Sequence, residues 1–243
     1  MAKTKNIDMC SGHLMKNMIR YTIPIILTNF LQLLYNAADL VVIGQFDSHD
    51  AFAAVGATGS LYNLFVTLFV AIAGGGCICV AQYYGARDGK NVSETVHTCV
   101  LFSLIAGVIV GLIGIFFVKD ALILMDTHED ILDMSALYLQ IIFVGTPFML
   151  FYNFAAGILR ATGDTKRPFY ILVVSGMVNV CLNVFFVAVL HMSVAGVALA
   201  TTIGSVINAA CGFYLLANSG DSIRLTIKEL KIHGDKLKKV LHY

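Results

Sequence analysis

The chain has 243 residues, of which 58% are hydrophobic and 13% are charged, and its mean hydropathy is +0.81. Soluble domains average about 45–50% apolar and ~25% charged residues, so this composition excludes a water-soluble fold and predicts an integral membrane protein. The formal net charge is only +1. A net charge so close to zero gives no extended positive electrostatic potential, so we predict no nucleic-acid partner.

Six stretches of the chain are long and apolar enough to cross a lipid bilayer as helices. A transmembrane helix needs about 20 mostly apolar residues. The stretches that qualify are Ile19–Ile43, Leu61–Ala81, Val96–Val118, Ala136–Leu159, Pro168–Leu190 and Val194–Ala217. The Ala- and Gly-rich run 51–60 extends the second helix beyond the membrane core. We therefore predict an all-α, multi-pass membrane protein with six transmembrane helices.

The lysines and arginines are distributed unevenly between the two sides of this bundle. Fifteen of the sixteen lie in the terminal segments and in the loops after helices two and four, whereas the opposite loops contain only Lys119 and are rich in aspartate. Because basic residues are retained on the cytoplasmic side, both termini are predicted to be cytoplasmic. The predicted location is the plasma (inner) membrane.

The sequence divides into three parts: a cytoplasmic N-terminal segment over 1–18, a six-helix lobe over 19–217 and a basic amphipathic tail over 218–243. Apolar residues alternate with six basic residues in the tail. This pattern is typical of a segment that lies on an anionic cytoplasmic leaflet, and a solvated linker between domains fits it equally well. The tail has no helix cap or stop signal at its end, so we interpret the chain as the product of a truncated reading frame.

Helix one contains an unusual polar stripe. Asn29, Gln32, Asn36 and Asp39 follow one another at i, i+3, i+7 and i+10, which places them on one helical face over about 15 Å. Asp39 is the only acidic residue in the apolar cores of the six stretches. An ionisable group inside a membrane is costly, so we predict that this face lines a cavity for an ion or a solute, in preference to a polar seam between helices.

Helices five and six carry polar groups at a similar depth. Asn179 and Asn183 are one turn apart on helix five, and Thr201 and Thr202 lie near the outer end of helix six. At 1.5 Å per residue, Asp39 is about 6 Å from the outer end of its helix, Asn183 is about 10 Å from the end of helix five, and the two threonines are about 10–12 Å from the end of helix six. A carboxylate among such oxygens can take a proton or, with carbonyl groups, bind a hard cation such as Na⁺.

Helix breakers and isolated polar residues complete the pattern. Pro24 is predicted in the first turn of helix one, and Pro147 in the middle of helix four should kink that helix; both are candidate hinges. Asn153 on helix four fits a structural amide as well as a substrate contact. The six cysteines are scattered and are interpreted as small packing residues, with no metal site or cofactor predicted.

The order of three motifs gives the chain a resemblance to a known family. The run from Pro24 through Tyr35-Asn36-Ala37-Ala38-Asp39-Leu40-Val41-Val42-Ile43-Gly44 resembles the first helix of the multidrug and toxic compound extrusion (MATE) transporters. The segment Gly157-Ile158-Leu159-Arg160-Ala161-Thr162-Gly163-Asp164-Thr165-Lys166-Arg167-Pro168 looks like the family's loop between helices four and five. Asn179-x3-Asn183 looks like its fifth-helix pair. The similarity extends from about Ile19 to the end of the chain.

This resemblance implies an antiporter that exports drugs or metabolites and is driven by H⁺ or Na⁺. Asp39 would be the residue that couples transport to the ion, with Asn179, Asn183 and Thr201 beside it. If the ion is Na⁺, it would be bound by Asp39, Asn179 and Asn183. The substrate cavity would be lined by Gln32, Tyr35, Asn36, Asn153 and Thr202, and its substrates would be small and cationic. Family members have twelve helices in two lobes, so the partner of this lobe would be the missing C-terminal lobe or a second copy.

Three other kinds of protein are alternatives to this antiporter. A lipid-linked oligosaccharide flippase of the same superfamily usually carries basic residues in its cavity, whereas the six stretches contain only Arg20, the second residue of the first stretch. An intramembrane protease is disfavoured because helix six has no histidine and no His-Glu-x-x-His motif is present. A half-size subunit that works only as a homodimer stays open. We therefore predict a transporter and not an enzyme.

Overall fold

The computed structural model describes residues 14–226 and 229–242. The first thirteen residues of the predicted N-terminal segment, and residues 227, 228 and 243 of the predicted tail, lie outside the described part. Six long helices run α1 Leu14–Phe46, α2 His49–Gly85, α3 Gly89–Leu124, α4 Glu129–Ala161, α5 Lys166–Val184 and α6 Ser193–Ala217, followed by a short helix α7 at Gly234–His242. All of the first six are long and apolar enough to cross a membrane, which confirms the predicted fold class.

The helices end in short loops that divide by charge. The end of the bundle that carries Arg87, Arg160 and Arg167 is called the basic end, and the end that carries Asp47 and Asp126 is called the acidic end. Side-chain caps fix two of the helix starts: Ser48 Oγ accepts from Ala51 N at 3.2 Å, and Asp88 Oδ1 accepts from Asn91 N at 3.1 Å.

Helix α4 forms the centre of the lobe and α1 lies at its margin. Two-thirds of the apolar window of α4 is buried, against 17% for α1. Glycines bring α3 close to α4, since a Cβ at Gly107 would lie 2.5 Å from Pro147 Cα and a Cβ at Gly111 would lie 2.8 Å from Phe143 O. Pro147 therefore lies against the backbone of α3, and its role as a hinge stays a prediction.

The position of Pro24 corrects the sequence analysis. Helix α1 already includes Leu14, so Pro24 lies in the helix interior and not in its first turn. The helical run continues past the apolar stretch because residues 14–19 contain no breaker. A proline at this position removes the N–H that would bond to the carbonyl of Arg20. The hydroxyl of Thr28 donates to Pro24 O at 2.7 Å.

Helix α5 ends in a π-helical turn, Phe185–Val189, directly after Asn183 and Val184. Leu190 N donates to Phe185 O at 3.1 Å, which closes this turn. Such turns are rare and are often found near functional sites. The sequence predicted a single uninterrupted helix here, because the change in hydrogen-bond register leaves the apolar pattern almost unaltered.

The described part of the tail packs against the lobe, an arrangement that the sequence did not predict. Ile223, Leu225 and Val240 are buried in the same apolar cluster as residues of α2, α3 and α4. Two polar contacts fix the tail to α3: Thr226 N donates to His97 Nε2 at 3.1 Å, and His233 N donates to Thr98 Oγ1 at 3.1 Å. The apolar residues of the tail thus pack against the helices of the lobe, whereas the sequence predicted that they contact lipid or water.

Lys236 of α7 is held inside this contact. It is only 7% exposed and bonds to Asn91 Oδ1, while Glu94 Oε2 lies 3.7 Å from its ammonium group. The ammonium also lies 4.9 Å from the centre of the Tyr83 ring. An ammonium with an amide, a carboxylate and an aromatic face around it is well compensated, so α7 is seated on the basic ends of α2 and α3.

Candidate functional site

A cavity of about 440 Å³ opens along one side of α1, between α1, α2, α4, α5 and α6. The polar stripe of α1 faces it: Asn29, Gln32, Asn36 and Asp39 all line the cavity, as Tyr35 does. The periodicity of the stripe explains this, since residues three and four apart share a helical face. The predicted cavity-lining face of α1 is thus present.

Asp39 lies where α1, α5 and α6 meet. The residue is 6% exposed, and its carboxylate accepts a hydrogen bond from Asn183 Nδ2 on α5. The hydroxyl of Thr201 on α6 donates to Asp39 Oδ2 at 3.4 Å. Asn183 is completely buried and Asn179 is 7% exposed. The depths calculated from the sequence therefore correspond to real contacts among three helices.

The amide of Asn179 completes the contacts around Asp39. With its nitrogen turned toward the carboxylate, Asn179 donates to Asp39 Oδ1 at 3.2 Å, and its oxygen accepts from Thr201 N at 3.2 Å. The opposite orientation places the nitrogen 3.3 Å from Thr201 Oγ1. The first orientation satisfies both ends of the amide, so we adopt it. Asp39 then receives donors from two amides and one hydroxyl.

The close approach of α1 to α5 depends on the absence of a side chain at Gly176. The ring of Tyr35 lies over this glycine so closely that a Cβ there would fall 1.9 Å from Tyr35 Cζ. The Tyr35 hydroxyl donates to Leu172 O at 3.3 Å. This contact holds the stripe of α1 against α5 one turn below Asp39.

The side chains around Asp39 include an oxygen atom that a cation could use as a ligand. Asn183 Oδ1 is buried and has no hydrogen-bond donor among the described residues. It is an oxygen that can accept from a protonated carboxyl group or bind a hard cation. The described ranges 14–226 and 229–242 contain no group of three His, Cys, Asp or Glu residues that could hold a metal ion.

The other predicted residues divide into two groups. Asn153, Asn179 and Thr201 line the cavity together with the stripe of α1. Thr202 does not, because neighbouring residues on a helix point about 100° apart. Its hydroxyl donates to Ile141 O of α4 at 3.0 Å. The two predicted hinges, Pro24 and Pro147, also lie outside the cavity lining.

Several lining residues were not predicted from the sequence: Tyr62 and Asn63 of α2, Met149, Tyr152 and Arg160 of α4, and Ser205 and Asn208 of α6. The run Thr201, Ser205, Asn208 has the spacing i, i+4, i+7 and could have been recognised as a second polar stripe. Arg160 was assigned to a loop, so the argument against basic residues in the cavity was wrong: the structure places one arginine in its lining.

Comparison with known proteins decides the family. The family model described as MatE matches residues 24–185, which is more than half of the chain. The chain belongs to the MatE family. Proteins of this family are transporters and not enzymes, and the resemblance noted in the sequence is thereby confirmed.

Two bacterial relatives illustrate the similarity of this MatE chain. It is 35% identical over 167 residues to the probable multidrug resistance protein YoeA of Bacillus subtilis, covering 69% of this chain and 36% of that protein. It is 29% identical over 218 residues to the DNA damage-inducible protein F of Escherichia coli, covering 89% of this chain and 46% of that protein. The MatE chain spans about half or less of the length of the curated relatives it matches.

Solved structures show the same fold. A crystal structure of MATE in the bent conformation superposes with a TM-score of 0.90 at 24% identity, covering 99% of this chain and 54% of that one. An outward-facing multidrug resistance MATE family transporter gives a TM-score of 0.89, also at 24% identity, and 53% of that chain is covered. The six helices of the MatE chain thus have the fold of about half of each of these transporters.

Proposed function

We propose that this chain forms one lobe of a cation-coupled antiporter that exports small organic molecules across the plasma membrane, with H⁺ or Na⁺ as the coupling ion. The observation that carries the proposal is the buried contact of Asp39 with Asn183 and Thr201 at the wall of the cavity. Within the described part of the chain, Asp39 is the only acidic residue that lines this cavity. An intramembrane acid with polar partners is characteristic of an ion pathway.

Coupling follows from what a cation does to the donors around Asp39. The ionised carboxylate accepts from Asn183, Asn179 and Thr201 at once. A protonated carboxyl group donates one bond itself and needs an acceptor, and a bound Na⁺ needs oxygens in place of N–H groups. Either cation requires the amides to turn, and the packing of α1 against α5 and α6 changes with them.

The cavity wall favours an aromatic, cationic substrate. Tyr35, Tyr62 and Tyr152 line it together with Met149 and the amides of α1. Aromatic faces attract organic cations, and the carboxylate of Asp39 supplies the balancing charge. A volume of about 440 Å³ is within the range of small-molecule sites. Substrate and coupling ion would then compete for one carboxylate, which is the requirement of an antiporter.

A single lobe supplies only one wall of such a cleft. Alternating access requires two bundles that move against each other around a central site. On α1 the large apolar residues Ile26, Phe30 and Leu33 are 60%, 57% and 66% exposed beside the polar stripe. The proposed second wall is a C-terminal lobe like those of the longer relatives, or a second copy of this chain acting as a homodimeric half-transporter.

The experiment is ethidium efflux from cells that express residues 1–243 alone or together with the C-terminal half of a full-length relative as a separate chain. We expect ion-dependent efflux with the second half present, its loss in Asp39→Asn and its retention in Asp50→Asn. Asp50 is the matched control because it is an exposed acid in the first turn of α2. Full efflux by Asp39→Asn at several pH values would contradict the coupling role.

Efflux by the 243-residue chain alone decides between the two forms of the second wall. Ion-dependent efflux that is lost in Asp39→Asn would support the homodimeric half-transporter, and a dimer should then appear on detergent gels. Efflux only in the presence of the second half would support the two-lobe form.

A further inference from the structure

Among the residues that the structure describes, Arg160 is the only lysine or arginine that lines the cavity. It belongs to the last turn of α4, at the basic end of the bundle. The hydroxyl of Tyr21 on α1 donates to Arg160 O at 3.1 Å, so α1 closes against α4 at this point. The guanidinium therefore lies where the cavity reaches the basic end.

No carboxylate in the described ranges lies within ion-pair distance of Arg160. The groups with which its charge interacts include the hydroxyls of Tyr21 and Tyr152 and the thiol of Cys77. The neighbouring Arg167 differs, because it pairs with the buried Asp164 at the start of α5. The two arginines therefore differ in their environment. The charge of Arg167 is neutralised by Asp164, whereas Arg160 faces the cavity.

The helix dipole accounts for only part of this arrangement. A cation in the last turn of a helix is stabilised by the carbonyl groups there, wherever around the helix it points. Basic residues that only anchor a membrane helix extend their side chains toward the interface. Arg160 contributes to the cavity lining together with Tyr152 and Asn153 of the same helix. Arg160 is therefore positioned to contact a molecule in the cavity.

The distance from Asp39 shows that Arg160 does not belong to the cation site. Thr201 contacts Asp39, and Thr202 packs against Gly145, whereas Gly212 packs against Ala155. In both pairs the residue of α6 is 57 positions later than its neighbour on α4, so the two helices run parallel. Thr201 is therefore level with residue 144 of α4, and so is Asp39, which Thr201 contacts. Arg160 lies sixteen residues further along, which is about 24 Å at 1.5 Å per residue. The two residues therefore belong to opposite ends of the cavity.

We propose that Arg160 forms a separate anion subsite at the basic end of the cavity, which binds the phosphate or carboxylate head of an amphipathic molecule. Its planar fork of N–H donors matches an oxyanion in a bidentate geometry, and the apolar tail would lie along the exposed face of α1. The oxyanion can come from an anionic lipid of the adjacent leaflet or from an anionic solute. This subsite goes beyond the proposed function, since binding there requires neither transport nor Asp39.

The test uses the 243-residue chain with one fluorescent reporter. The sequence contains no tryptophan, and Val70 lines the cavity, so Val70→Trp gives a single reporter inside it. Octyl phosphate is titrated in detergent, with octyl glucoside as the uncharged ligand of the same tail. The binding variants are Arg160→Gln and Arg160→Lys, and Arg87→Gln is the control, being an exposed arginine of the basic end outside the cavity lining.

We expect octyl phosphate to bind more tightly than octyl glucoside and to lose roughly tenfold or more in affinity in Arg160→Gln, as for a lost hydrogen bond to a charged group. Arg160→Lys should retain part of the affinity, and Arg87→Gln all of it. Equal affinity of octyl phosphate and octyl glucoside for the chain that retains Arg160 would by itself overturn the proposal. Unchanged octyl phosphate binding in Arg160→Gln would also overturn it.

A second arm separates the two sources of the oxyanion. The chain is placed in nanodiscs with brominated acyl chains on either phosphatidylglycerol or phosphatidylcholine. Stronger quenching of the tryptophan by the anionic lipid, lost in Arg160→Gln, would support the subsite and identify a leaflet lipid as its occupant. Equal quenching by both lipids, together with Arg160-dependent binding of octyl phosphate, would support the subsite and identify a soluble anion.

Discussion

The side-chain amide of Asn183 on α5 donates a hydrogen bond to the carboxylate of Asp39 on α1, although 144 residues separate them in the chain. Thr201 on α6 donates to the other carboxylate oxygen. One acidic side chain therefore joins three helices. A change in its charge would alter the hydrogen bonds that join α1 to α5 and α6.

Replacing Asn183 by leucine should destabilise the lobe through Asp39. The side chain keeps a similar volume, but the buried carboxylate loses a donor, which costs about 1–3 kcal/mol. Urea unfolding in detergent, followed by circular dichroism, measures the loss. The double variant Asp39→Asn/Asn183→Leu should recover part of it, because a neutral amide is cheaper to bury than a carboxylate. Asn218→Leu, at an exposed amide, is the control, and equal stability of both single variants would contradict the account.

Substitution of Gly176 by alanine should separate α1 from α5. The new Cβ would fall 1.9 Å from the Tyr35 ring, so the ring or the helix has to move, and overpacking of this kind costs about 1–3 kcal/mol. Gly74→Ala is the matched control, because nothing lies within 4 Å of a Cβ at that position. A lower midpoint of thermal unfolding is expected for Gly176→Ala alone. Restoration of the midpoint by Tyr35→Ala would identify the ring as the cause, and no change in Gly176→Ala would exclude the close contact.

Loss of the His97 side chain should release the tail from α3. His97→Phe leaves Thr226 N without its acceptor inside the docked segment, which favours exposure of the tail. Limited trypsin digestion after Arg224 and Lys231 should become several-fold faster than in the unaltered chain. His49→Phe, at an exposed histidine of the acidic end, should leave the digestion rate unchanged. A tail that is cut equally fast in all three chains is not docked.

The basic end is expected to face the cytoplasm. The prediction rests on the positions of fifteen of the sixteen basic residues. Single cysteines introduced at Asp50 or Asp130, in a background without the natural cysteines, should react with an impermeant maleimide from outside intact cells. A cysteine at Lys90 should react only after the membrane is opened. Labelling of the Lys90 position in intact cells would reverse the topology.

The residues whose positions the sequence predicted share a local origin. The stripe of α1 that ends at Asp39, and the Asn179–Asn183 pair, follow from helical periodicity, which any single segment reveals. The contact between these residues was predicted from their depths in the membrane, which can be calculated because the rise per residue of a helix is fixed. The side on which Thr202 lies could not be obtained this way, since it depends on the rotation of α6 against α4.

The docked tail and the cavity position of Arg160 were missed for a related reason. Both are set by contacts between segments far apart in the chain, such as Thr226 with His97 and Tyr21 with Arg160. Composition placed the tail in lipid or water and placed Arg160 in a loop. The local sequence of the tail does not reveal His97, and the local sequence around Arg160 does not reveal Tyr21, although these contacts fix where the two segments lie.

The central claim is that a cation and an organic substrate compete for Asp39. The most direct measurement is the affinity of the purified chain for ethidium, determined by fluorescence anisotropy over a range of pH and of Na⁺ concentration, with Asp39→Asn and Asp50→Asn in parallel. The account predicts that ethidium binding weakens as H⁺ or Na⁺ rises, and that this dependence disappears only in Asp39→Asn. Ethidium affinity that is independent of both cations, or a dependence that persists in Asp39→Asn, would contradict it.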